Sequence, residues 1–85
     1  MTWQVDFTDR ARRELRKLGA PAQQSILRFL RERIATEKDP RRFGKSLRGE
    51  LTGLWRYRVS DYRIITKIED DKLKVLVIKV GHRTH

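Results

Sequence analysis

The sequence contains no cysteine, which excludes a disulfide framework and a thiolate zinc site and is compatible with a reducing compartment. No run of apolar residues approaches the length that crosses a bilayer, and the opening MTWQVDFTDR lacks a basic-then-apolar leader pattern. A cytoplasmic protein with no membrane partner is therefore expected. Internal repeats, low-complexity tracts and a domain boundary are also missing. At 85 residues one core is only just sufficient and a second is implausible, so residues 1–85 are read as one domain serving one site or surface.

Positive charge is abundant. The formal net charge is +10, and it is unevenly spread: residues 1–40 hold nine Lys/Arg against six Asp/Glu, residues 41–85 twelve against five. Such an excess repels itself in the folded chain unless an anionic partner offsets it, which favours nucleic acid, an acidic protein or anionic lipid. Patterning alone does not separate these partners from a merely solvated basic face.

The order of elements follows from periodicity and punctuation. Residues 3–7 alternate Trp3, Val5 and Phe7 against Gln4 and Asp6, a short strand with one apolar face. Thr8 supplies a capping oxygen and Asp9 an acidic first turn, after which Ala11, Leu15 and Leu18 recur on one side of a helix. Gly19 ends that helix and Pro21 suits the first turn of a second, striped by Ala22, Ile26, Phe29, Leu30 and Ile34. So short a connection implies an antiparallel helical hairpin. Residues 36–53 lose periodicity, with Pro40, Gly44, Gly49 and Gly53 punctuating a basic stretch that is either functional or hides a short element. Residues 54–59, 62–69 and 73–80 then read as a three-strand meander, and LKVLVIKV, apolar on both faces, as an interior strand. The expected fold is α+β: an N-terminal strand, a two-helix hairpin and the meander, forming one mainly antiparallel four-stranded sheet with the helices on one face.

Within the meander, LWRYRV sets Arg56 and Arg58 on one strand face and Trp55, Tyr57 and Val59 on the other. Arg63 opens the next strand and should stand close to them if the two strands pair. His82, Arg83 and His85 follow the interior strand. Guanidinium groups fixed on a sheet can hold phosphate bidentately, although arginines on an open face also serve solubility alone. His82 and His85 without an acidic or thiolate partner make a poor metal site, and no metal or other cofactor is expected.

A short N-terminal strand, a helix ending RKLG, a second amphipathic helix, Leu47-Arg48-Gly49, the LTGLWRYRV strand, Tyr62-Arg63-Ile64-Ile65, an Asp-Asp hairpin and Val80-Gly81-His82-Arg83 follow in an order that resembles the RelE/ParE superfamily of bacterial toxins, most closely its RelE branch, from residue 5 to residue 83. The resemblance implies a toxin of a type II toxin–antitoxin pair. Such a toxin enters the ribosomal A site, cleaves mRNA without a metal by attack of the ribose 2′-OH on the adjacent phosphate, and is silenced by a small acidic RelB-like antitoxin. It further implies that Arg56, Arg58, Arg63 and Arg83 occupy the family's basic positions, with Lys45 and Arg48 as RNA contacts.

Two departures from the pattern bear on mechanism. The second-strand positions carry arginine where the best-known RelE pattern has lysine, and arginine stays protonated at any accessible pH, so it can donate hydrogen bonds but not act as base. His82 is then the first place to look for proton transfer, with Glu50 a weaker one, since a glutamate used by a related branch falls near Lys45. The sequence stops short of the family's C-terminal tyrosine, so either the chain is truncated or base stacking falls to Trp55, Tyr57 or Tyr62, the first two being expected core residues. A ParE-like gyrase inhibitor and a non-enzymatic basic module remain alternatives; clustering of cations at one point favours the nuclease.

Overall fold

The computed structural model describes residues 1–82; Arg83 and His85 lie outside the described residues. Alternation in the opening segment forms β1 (Gln4–Phe7). Thr8 Oγ1 then accepts the Ala11 N–H at 3.1 Å and caps α1 (Asp9–Arg16), as its side-chain oxygen is suited to do. Gly19 and Pro21 open α2 (Ala20–Phe29), which runs on into a widened π-type turn, Leu30–Ile34. Ala11, Leu15, Ile26, Leu30 and Ile34 form the apolar stripe of this helical layer and pack with Tyr57, Ile64, Val75, Val77 and Val80 of the sheet in one core.

The aperiodic stretch hides the element that sequence pattern missed. After a 3-10 turn, Pro40–Phe43, comes β2 (Lys45–Ser46), followed by a second 3-10 turn, Gly49–Leu51, and then β3 (Trp55–Val59), β4 (Tyr62–Glu69) and β5 (Lys74–His82). The sheet therefore has five strands rather than the four expected, in the order β1-β5-β4-β3-β2. Two residues are too few to display a period of two, so β2 is defined only by its partners: Lys45 opposite Arg56 and Ser46 opposite Trp55. β1 runs parallel to β5 and the other pairs are antiparallel. β5 is interior, as its apolar run implies, but it continues past Val80 to His82.

A bulge reconciles that run with one core face. Thr66 pairs with Val77 and Ile65 with Lys79, leaving Ile78 as an extra residue, so Val77 and Val80 both face the helices although an uninterrupted strand would put them on opposite sides. The Pro40–Phe43 turn is fastened from two directions. The buried Tyr57 hydroxyl donates to the Pro40 carbonyl at 2.7 Å, and burial raises the phenol's pKa, keeping it a donor. Arg41 grips Asp70 with two hydrogen bonds of 3.0 and 2.6 Å, tying the turn to the β4–β5 connection and holding the Asp70 carboxyl below its ordinary pKa. Among the described residues no helix is long and apolar enough to cross a membrane.

Candidate functional site

Register decides which of the basic residues meet. Arg58 lies directly opposite Arg63, and Arg56 lies between Lys45 on one side and Ile65 on the other. Residues opposite one another share a face, so Lys45, Arg56, Arg58 and Arg63 converge on the side of the sheet away from the helices. Arg56 is half-buried, and its Nε is enclosed without a hydrogen-bond partner among the described residues. Its pKa is lowered, first by desolvation and then by the charges of Arg58 and Arg63. Like charges are thus held close enough to oppose one another, a cost that an anion placed among them would remove.

Other candidates fall elsewhere. His82 closes β5 opposite Tyr62, its ring 4.9 Å from the Tyr62 ring. Since Tyr62 and Arg63 are neighbours on one strand, the His82 ring falls on the face opposite Arg63, although the residue, at the end of β5, also borders a concavity that Arg63 lines. Arg48 and Glu50 are exposed at the Gly49–Leu51 turn. Tyr57 is fully buried and committed to Pro40, and half-buried Trp55 packs over Gly44, so neither is presented to a ligand on the open face. No group of three or more metal-ligating side chains occurs among the described residues.

Comparison with known proteins places this geometry in a family. A model described as the ParE toxin of the type II toxin–antitoxin system parDE matches residues 5–85. The chain is 36% identical to Toxin RelG of Mycobacterium tuberculosis over 83 residues, covering 98% of this chain and 93% of that one. It is 33% identical to the mRNA interferase toxin RelE of Escherichia coli over 85 residues, covering 98% of this chain and 85% of that one. A solved RelBE toxin–antitoxin complex from Mycobacterium tuberculosis superposes with a TM-score of 0.89 at 33% identity, covering 100% of this chain and 95% of that one. The chain belongs to the RelE branch of the RelE/ParE toxin superfamily.

Two further features of the toxin frame the arginine cluster, and both went unread in the sequence. β1 stops at Phe7, opposite Val77, so it cannot pair with the last part of β5; there Glu14 Oε1 accepts the Val80 N–H at 2.8 Å while Glu14 Oε2 faces Arg10 Nε at 3.3 Å. A helix carboxylate thereby replaces the missing strand and anchors the segment that carries Gly81 and His82. Beside the arginines a concavity of about 480 Å³ is lined by Leu51, Leu54, Ile65 and Ile78, with Arg63, Lys79 and His82 also at its walls. Its apolar floor joins residues of β4, β5 and the loop before β3, a combination no local pattern reveals.

Proposed function

We propose that the toxin is a ribosome-dependent endoribonuclease that cuts mRNA by metal-independent 2′-OH attack. The observation that carries this reading is the convergence of Arg56, Arg58 and Arg63 on one sheet face with a desolvated Arg56 among them. The 2′-OH gives its proton to solvent hydroxide as its oxygen bonds to phosphorus, the bond from phosphorus to the 5′-oxygen breaks, and that oxygen takes a proton from water, so the products are a 2′,3′-cyclic phosphate and a 5′-hydroxyl. Arginines held in place stabilise the charge that gathers on the phosphorane without reorganising, and this is where the rate gain arises. Arg83 completes the grip in this proposal, with Lys45 and Arg48 steering the RNA strand. In this proposal proton transfer does not pass through His82: the residue borders the concavity that Arg63 lines, but its ring lies against Tyr62.

The name of the matching family raises a second reading, a ParE-like gyrase inhibitor acting by protein contact. Expression in cells separates the two. The nuclease arrests translation and leaves mRNA cut at ribosome-occupied codons with cyclic phosphate ends, whereas an SOS response over intact mRNA would replace it with the inhibitor. Neither response would leave a non-enzymatic basic module.

The partner that silences the toxin is a small acidic antitoxin in this proposal. An amphipathic helix fits the concavity, apolar residues on Leu51, Leu54, Ile65 and Ile78 and carboxylates towards Arg63 and Lys79. Binding should then weaken steeply as salt rises from low to physiological strength, read by titration calorimetry. A salt-independent affinity would exclude this mode.

A further inference from the structure

A second cationic feature stands apart from the arginine face. Phe43 remains 40% exposed, with the Arg42 guanidinium carbon 4.5 Å from its ring centroid and that of Arg33 at 5.6 Å. Its ring is held at one edge by Phe29, centroids 6.2 Å apart and planes at 73°, and Phe29 in turn packs on Tyr57. Arg42 Nη2 also donates to the Arg33 carbonyl at 3.4 Å, at the end of the second helix where carbonyls lack helical partners and attract a cation.

Cation–π contacts at a surface ordinarily contribute a little stability and need no ligand. Two facts go beyond that role. Arg41 spends its charge on Asp70 and Asp39, whereas among the described residues neither Arg42 nor Arg33 has a carboxylate in ion-pair reach. Two unneutralised guanidiniums on one ring repel each other. The turn carrying Arg42 and Phe43 is also held in place, fastened by Tyr57 to Pro40 and by Arg41 to Asp70. Phe43 precedes Lys45 by two residues, and Lys45 sits on the sheet edge beside Arg56.

We infer that Phe43, Arg42 and Arg33 form a second contact for single-stranded RNA, which receives a nucleotide flanking the one held by Arg56, Arg58 and Arg63. The inference rests on the nuclease reading of the sheet face. RNA leaving that face over Lys45 crosses the β2 edge and meets the ring and its guanidiniums, where a base stacks on an aromatic or guanidinium plane and the charges face phosphate. Charge complementarity selects the occupant, since this surface offers two guanidiniums and an exposed ring to a polyanion.

The test measures binding of the full chain to a fully 2′-O-methylated, uncleavable oligoribonucleotide and to a dinucleotide of the same chemistry. Phe43→Leu keeps apolar bulk and removes the flat ring; it should weaken the oligonucleotide about tenfold and leave the dinucleotide unchanged. Arg33→Gln with Arg42→Gln should lower the slope of log affinity against log salt by about 0.7 for each phosphate that is no longer neutralised. Phe43→Leu binding of the oligonucleotide equal to wild type, with an unaltered melting curve, would overturn the inference. So would equal weakening of both probes, or weakening of an acidic antitoxin peptide alone. Arg63→Ala distinguishes the two readings: it should weaken both probes, and no effect on either would count against the sheet-face site, not against Phe43.

Discussion

Replacing Arg63 with alanine should cut the rate of mRNA cleavage in a reconstituted translation reaction by about a hundredfold or more, as expected when one fixed donor to a developing oxyanion is removed. Arg63 faces Arg58 across the β3–β4 hairpin and contributes to the field that lowers the pKa of Arg56. Its loss therefore removes charge at the proposed phosphate site while relieving repulsion of Arg56. His82→Gln supplies the contrast: with its ring beside Tyr62, it should retain activity within a few-fold of wild type, and the pH–rate profile should show no inflection belonging to an imidazole. Full activity of Arg63→Ala, or loss of activity in His82→Gln matching that of Arg63→Ala, would overturn this allocation of roles.

Gly44→Ala should have the largest effect on stability. The backbone there is extended, with φ of −124°, so conformational freedom is not the issue; space is. A Cβ at this position would lie 2.4 Å from both Cδ1 and Nε1 of Trp55 and 2.6 Å from the Arg56 carbonyl oxygen. Two of those atoms belong to a rigid indole and the third to strand backbone, so relief requires β2 to move away from β3. Overpacking of this kind costs about 1–3 kcal/mol, which for a domain of this size lowers the melting temperature on the order of 10 °C. The displaced strand would also carry Lys45 away from Arg56. Gly81→Ala is the control, because a Cβ there meets nothing within 4 Å. Equal melting temperatures for the two variants would refute the steric account.

The parts of this fold that were legible in the sequence are those that repeat a local rule. Thr8 before an apolar stripe announced α1, Gly19 and Pro21 announced the break before α2, and alternation around Arg56 and Arg58 announced β3 and its two faces. The meeting of Arg58 with Arg63 also followed, because a two-residue connection leaves a hairpin little choice of register. β2 was not legible, being too short to show periodicity. Nor was the bulge at Ile78, since Leu, Val and Ile in succession look alike whichever way each points. The side taken by His82 depended on that bulge and on where β5 ended. Glu14 escaped notice for another reason: its partner is a backbone N–H 66 positions away, and sequence records side chains, not vacant edges.

The parallel pairing of Gln4–Phe7 with residues 74–77 has a consequence for the order of assembly. While the toxin is being synthesised, β1 and α1 are made early, yet the strand they dock on is among the last described segments to emerge. The β3–β4 hairpin can form from local contacts, but it has no closed core beneath it until β5 inserts between β4 and β1. Contacts so distant along the chain form late, after the entropy of a long loop has been overcome. The nascent chain therefore completes its arginine-bearing sheet only after residues 74–82 have been made, so the sheet that carries Arg56, Arg58 and Arg63 closes later than the hairpin that bears them.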